Sequence, residues 1–176
     1  MTISLPPETS SPPRLQPSGW LRYFSFSVDH KVIGLQYLVC GFVFYLIGGA
    51  LAGAIRTELT SPVSDFMARD VYNQVLTLHG TVMIFLWIVP VVNGAFGNYL
   101  IPFYVGARDM AFPRLNAVAF WLIPPAGLML ITSYFLTGAA QSGWTAYPPL
   151  SITTPATGQI IWILSVLLLG GSSIFG

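Results

Sequence analysis

Four apolar stretches separated by short polar connections organise this chain, and each is measured against the ~20 residues that an α-helix needs to cross a hydrocarbon core. Val32 to Ile55 contains no charged residue. A second stretch runs from about Val71 to about Pro102; it is long for one crossing, and Pro90 within it predicts a kink. A third runs from about Asn116 to Leu136 with Pro124 and Pro125 inside it. A fourth, from about Gln159 to Gly176, ends while the sequence is still apolar, so the chain is expected to be cut within a helix. The pattern predicts an all-α integral membrane protein, a bundle of transmembrane helices over residues 32–176, preceded by a tail and interfacial segment over 1–31. No internal repeat is evident.

Composition agrees. Charged residues are 7% of 176 and hydrophobic residues 54%, with a mean hydropathy of +0.70, against the ~25% charged content of a soluble domain. A net charge of +1 gives no footprint for a nucleic-acid partner. The single Cys40 lies in an apolar run, can form no intramolecular disulfide, and reads as a small buried hydrophobe. The opening residues, rich in Pro and Ser, lack the apolar core of a cleaved signal peptide and read as a disordered cytoplasmic tail. Trp20, Arg22, Tyr23, Phe24 and Phe26 then form an aromatic and basic cluster suited to a headgroup boundary.

The basic residues set an orientation. Arg14, Arg22 and Lys31 precede the first span, and Arg108 and Arg114 separate the second from the third, whereas Arg56 and Arg69 fall on the opposite side. Short cytoplasmic loops retain Lys and Arg, so the N-terminus is predicted inside. Thirty residues separate His79 from Asp109, ~45 Å of helix at 1.5 Å per residue. This exceeds the ~30 Å hydrocarbon thickness, so the two belong to opposite faces, His79 near the outer and Asp109 at the inner.

His79 lies in TLHGTVMIF, within a stretch from Val71 to Ala107 that has no Asp, Glu, Lys or Arg. A metal-ligating side chain is costly to place in a span and marks a functional candidate, and imidazole is an axial ligand to haem iron. The competing reading is a hydrogen bond between packed helices. Arg56, which ends the first span close in depth to His79, either hydrogen-bonds an electronegative group of a cofactor or snorkels to the headgroups. The only other histidine, His30, is expected on the inner side, so the chain offers no second axial ligand beside His79.

The stretch YNQVLTLHGTVMIFLWIVPVVNGAFGNYLIPFYVGARDMAFPRLNAVAFWLIPP resembles the second and third helices of subunit I of the haem-copper oxidases. DHKVIGLQY, IRTEL, GWTAYPPL and GGSSIFG match the same family in the same order, covering nearly all of Trp20 to Gly176. The resemblance implies four N-terminal spans of a normally twelve-helix fold. It makes His79 an axial ligand of the low-spin haem and Arg56 the partner of the formyl group of an A-type haem. Trp144 and Tyr147 match residues near the haem propionates, although both also read as interface aromatics. Glu58 matches a position that can join an outer cation site, although an exposed acid is also simply solvated. Asp109 matches the entrance carboxylate of a proton pathway; Asn98 and Asn116 match asparagines flanking it, and Tyr37, Ser172 and Ser173 match polar residues farther along. Ala117 departs from the pattern, standing where many members have a second asparagine.

The family's quinol-oxidising branch carries an arginine, an aspartate and a histidine where this chain has Ile47, Leu51 and Val71, which favours the cytochrome c branch; Gln74 is shared with the quinol branch. The second axial ligand, the high-spin haem ligand and the copper B histidines lie in later helices of the family, so these residues alone are not expected to reduce oxygen. The implied whole is a proton-pumping respiratory oxidase with a copper A subunit and a third subunit as partners and cytochrome c as donor, in a bacterial inner or thylakoid membrane. The alternatives are a quinol-oxidising member and a short non-catalytic membrane protein that binds haem or is purely structural.

Overall fold

The computed structural model describes residues 19–63, 66–136 and 138–176; the expected tail over 1–18, with Arg14, lies outside them. Among the described residues there is no strand, and four helices are long and apolar enough to cross a membrane. They are α1 (His30–Glu58), α2 (Arg69–Val105), α3 (Pro113–Leu136) and α4 (Ala156–Phe175). A short 3₁₀ turn, Gly19–Phe24, precedes α1 with Trp20 and Phe24 exposed, as an interfacial anchor requires.

α1 starts two residues before the expected span because Asp29 caps it, its carboxylate accepting the Lys31 N–H at 2.9 Å. His30, Gly34, Tyr37, Gly41, Phe44 and Gly48 are buried at alternating spacings of four and three, a stripe with the 3.5-residue period of a coiled-coil seam. Three of the six are glycines, and α2 approaches them closely. A Cβ at Gly34 would lie 3.0 Å from the Ala95 carbonyl oxygen, and one at Gly48 would lie 2.5 Å from Met83 Sδ. Small residues bring helices together in lipid, where no hydrophobic force does so. Cys40 is half-buried and packs against the core.

α2 runs through Pro90 instead of breaking there. Its first part, Arg69–Thr81, is α-helical; Val82–Ile88 and Pro90–Gly97 are wound as π-helix; Asn98–Val105 returns to α. Proline lacks an N–H and its ring presses on the carbonyl four residues back, and the wider π turn moves that carbonyl aside. Pro90 thus falls where the winding changes, a common site of helix bending. The helix stops at Gly106, whose φ of +73° allows the Ala107 N–H to reach the Pro102 carbonyl at 2.9 Å.

α3 begins with Pro113, which costs nothing in a first turn, and continues through Pro124 and Pro125. α4 packs on it with Gly158, Trp162, Ser165, Leu169 and Ser172 buried, again at alternating four and three. Ser165 Oγ donates to the Ala126 carbonyl and Ser172 Oγ to the Ala119 carbonyl, both at 2.7 Å, so hydroxyl to backbone bonds join the pair. Its start is fitted to the preceding loop: a Cβ at Gly158 would stand 2.4 Å from the Gly138 oxygen and 2.9 Å from the Ala139 carbonyl carbon. Both obstacles are backbone and cannot rotate away. Gly158→Ala is therefore expected to destabilise the bundle by about 1–3 kcal/mol, read as a lowered unfolding midpoint in detergent; an unchanged midpoint would show that the loop yields.

Candidate functional site at the two ends of the bundle

α1 and α2 run antiparallel, so Gly48 lies beside Met83 at one end and Gly34 beside Ala95 at the other. The two ends carry different chemistry.

At the first end the His79 ring, half-buried, is held by α1. Its Nδ1 lies 2.9 Å from the Gly48 carbonyl oxygen. A carbonyl only accepts, so Nδ1 carries the proton, and in the neutral ring the Nε2 lone pair is left pointing away from that bond. This is the arrangement that fixes tautomer and direction in a metal-ligating histidine. Gly48 makes it possible twice over: its carbonyl is the acceptor, and its missing side chain admits α2 close enough for the bond to form.

The loop sequence GWTAYPPL, between α3 and α4, is fastened beside the same turn of α2. The Gly143 N–H donates to Thr77 Oγ at 2.8 Å, and Trp144 rests on the residue after His79, 3.0 Å from where a Cβ of Gly80 would be. Trp144 also meets the edge of Phe85, with ring centroids 6.2 Å apart. Tyr147 is 72% exposed. Arg56 is exposed and lies eight residues beyond Gly48, ~12 Å farther along the axis at 1.5 Å per residue. Its backbone therefore stands about two turns beyond the His79 level. Glu58 accepts the Met67 N–H at 2.9 Å, closing its own loop, and no group of three or more His, Cys, Asp or Glu side chains gathers among the described residues. Gln74 accepts the Ala139 N–H at 3.0 Å.

At the opposite end His30 is 4% exposed and its Nδ1 donates to the Asn98 carbonyl at 2.8 Å, pinning α1 to α2. It cannot join His79 on one cofactor. Asn98 is buried, donates through Nδ2 to the Gly94 carbonyl at 2.7 Å, and accepts through Oδ1 from Asn116 Nδ2. The Asn116 amide oxygen is buried without a partner among the described residues.

A cavity of about 410 Å³ opens beside these asparagines, lined by Tyr37, Asn93, Asn98, Met110, Ser172 and Ser173 among others. One water needs only ~10–15 Å³. Four polar residues picked out from sequence thus share one cavity although they come from three helices. Asn116 reaches it through Asn98, and Asp109 precedes Met110, a residue of the wall, whose N–H its exposed carboxylate accepts at 2.8 Å. The Tyr37 hydroxyl lies beside Ser172. Ala117 is fully buried in the neighbouring core.

The sequence left three parts unremarked. Gly48 acts through a backbone carbonyl, which no residue pattern advertises. Thr77 reads as an ordinary helix position until the loop is seen to bond it, and Asn93 lines the cavity from the π-wound segment.

Residues 32–176 match the model of the family described as cytochrome c and quinol oxidase polypeptide I. The chain is 63% identical over 157 residues to cytochrome c oxidase subunit 1 of Thermostichus vulcanus, covering 89% of this chain and 28% of that protein. It is 59% identical over all of its 176 residues to cytochrome c oxidase subunit 1 of a Synechocystis species, covering 31% of that protein. The Corynebacterium glutamicum protein of the same name is 42% identical over 174 residues, with 93% of this chain and 30% of that protein covered. The chain thus spans about three-tenths of the length of these relatives. With the family model matching from α1 through α4, this chain belongs to the cytochrome c and quinol oxidase polypeptide I family.

Proposed function

We propose that this chain forms the part of an oxidase subunit I that supplies one axial ligand of a low-spin haem and the inner mouth of a proton pathway. The observation that carries the haem reading is the Nδ1–H bond from His79 to the Gly48 carbonyl, which leaves Nε2 directed for coordination. When bound, the haem iron accepts and passes on one electron at a time. Trp144, packed over Gly80 next to His79 and edge-on to Phe85, would border such a group. Arg56, two turns farther along α1, would hydrogen-bond a polar substituent of an A-type haem. Tyr147 joins that rim from solvent. Glu58 is kept as one contributor to an outer cation site, since a carboxylate accepting one N–H retains acceptor capacity. The second axial ligand, the high-spin haem and copper B depend on residues outside this set.

Asp109 takes protons at the inner surface and passes them to water in the cavity that Tyr37, Asn98, Ser172 and Ser173 line, with Asn116 holding Asn98 in place. The orientation follows the charge asymmetry, with Arg22, Lys31, Arg108 and Arg114 at the Asp109 end and Arg56 and Arg69 at the other. The whole protein then takes electrons from cytochrome c through a copper A subunit, reduces oxygen and pumps protons, with a third subunit alongside, in a bacterial inner or thylakoid membrane. The cytochrome c branch is preferred because Ile47 and Leu51 pack against the core, where they cannot hydrogen-bond a quinol, and because Gln74 is engaged by the outer loop. Replacement of His79 in the complete oxidase, read by reduced-minus-oxidised absorption, tests the reading. Loss of the low-spin haem supports it, and an unaltered spectrum overturns it.

A further inference from the structure

Two threonines flank His79 in α2, Thr77 two residues before and Thr81 two residues after, and both are fully buried. At 100° per residue each lies ~160° around the helix from the imidazole, on the face turned away from α1. Their hydroxyls form a ladder. Thr77 Oγ donates to the Asn73 carbonyl at 2.7 Å and accepts the Gly143 N–H at 2.8 Å. Thr81 Oγ donates to the Thr77 carbonyl at 2.8 Å and accepts the Trp162 indole N–H at 3.0 Å. Each hydroxyl spends its one proton on its own helix and offers a lone pair to a different element, the outer loop in one case and α4 in the other.

The position along the helix gives this ladder a task. Thr81 is the last residue of the first α-wound part of α2, and π winding begins at Val82. Such a junction can migrate along a helix, because α and π registers of the same residues differ by only one hydrogen-bond partner. Migration by one residue would turn His79 relative to everything after it. The Gly48 bond alone holds the ring but does not prevent this rotation, since it acts from one side.

We infer that the Thr77 and Thr81 hydroxyls, clamped by Gly143 and Trp162, are positioning groups that lock the rotation of the His79 turn and thereby the direction of its Nε2. The inference rests on the assignment of His79 as a haem ligand. Neither threonine touches the haem in this arrangement; both act through His79.

The test is Thr81→Val in the complete oxidase. Valine keeps the volume and β-branching but removes both hydrogen bonds. The expected result is an oxidase that retains both haems but shows a shifted low-spin absorption band and altered ferric low-spin electron paramagnetic resonance g-values. Thr81→Ser, which restores the hydroxyl, is expected to return both to wild type. Faster amide exchange in the 138–150 loop is expected from Thr77→Val, a readout independent of the haem. Thr81→Val with unchanged band and g-values overturns the inference. If that variant fails to assemble, Trp162→Phe removes only the indole donor at the far end of the same bond and is judged by the same two spectra. Should His79→Ala leave the low-spin haem intact, the ligand assignment itself fails, which is a different result from a silent Thr81→Val.

Discussion

His79→Ala in the complete oxidase is expected to abolish the low-spin haem spectrum and to lower oxygen consumption by at least about 100-fold, since losing even an outer-shell partner of a metal ligand costs 10–100-fold. The side chain serves two functions that alanine cannot replace, the Nδ1–H bond to Gly48 and the Nε2 lone pair. No neighbour can substitute, because the other histidine of the chain is committed to the Asn98 carbonyl at the far end of α1. The measurement is the reduced-minus-oxidised spectrum of purified, assembled enzyme. Retention of a carbon monoxide adduct of the high-spin haem would show that the fold survived, so that the loss is one of ligation. A wild-type low-spin band would sink the assignment.

Asp109→Asn is expected to cut turnover roughly 100-fold or more, the lower end of what a positioned proton-transfer group contributes, or to abolish proton release while oxygen is still consumed. The substitution is well matched for the purpose. Asparagine keeps an amide oxygen able to accept the Met110 N–H now held at 2.8 Å, so the loop between α2 and α3 keeps its local bond. It loses only the capacity to take up and release a proton. Enzyme in vesicles, given an electron donor and a pH indicator outside, separates the two outcomes. Wild-type turnover with wild-type proton release would remove Asp109 from the pathway.

How much of this was legible in the sequence differs between the two ends. The helices were, with boundaries displaced by at most three residues, because a span of ~20 uncharged residues has few alternatives in a membrane. α1 gained His30 and Lys31 through the Asp29 cap, a bond to a backbone N–H that hydropathy does not weigh. Pro90 marked an irregular point of the second span from its chemistry alone; the π winding around it is a hydrogen-bond register that hydropathy does not carry. Arg56 and His79 were read as close in depth from their places near the ends of two spans. The structure registers His79 against Gly48, which sets the Arg56 backbone about two turns farther along α1.

The sequence by itself determined the membrane class, the number of spans, which ends carry the basic residues, and the identity of the candidates: an imidazole and a carboxylate too far apart to share a face. These depend on composition and on distance along one helix, both of which are local. Only the tertiary structure decided what each candidate meets. It gave His79 a carbonyl acceptor 31 residues away, set Trp144 against Gly80, and gathered Tyr37, Asn98, Ser172 and Ser173 from three helices around one cavity. Those facts depend on helix register and rotation. Both are set by which small residues allow close approach and which hydroxyls find carbonyls across the gap, and in lipid these contacts, rather than hydrophobic burial, hold one helix against the next.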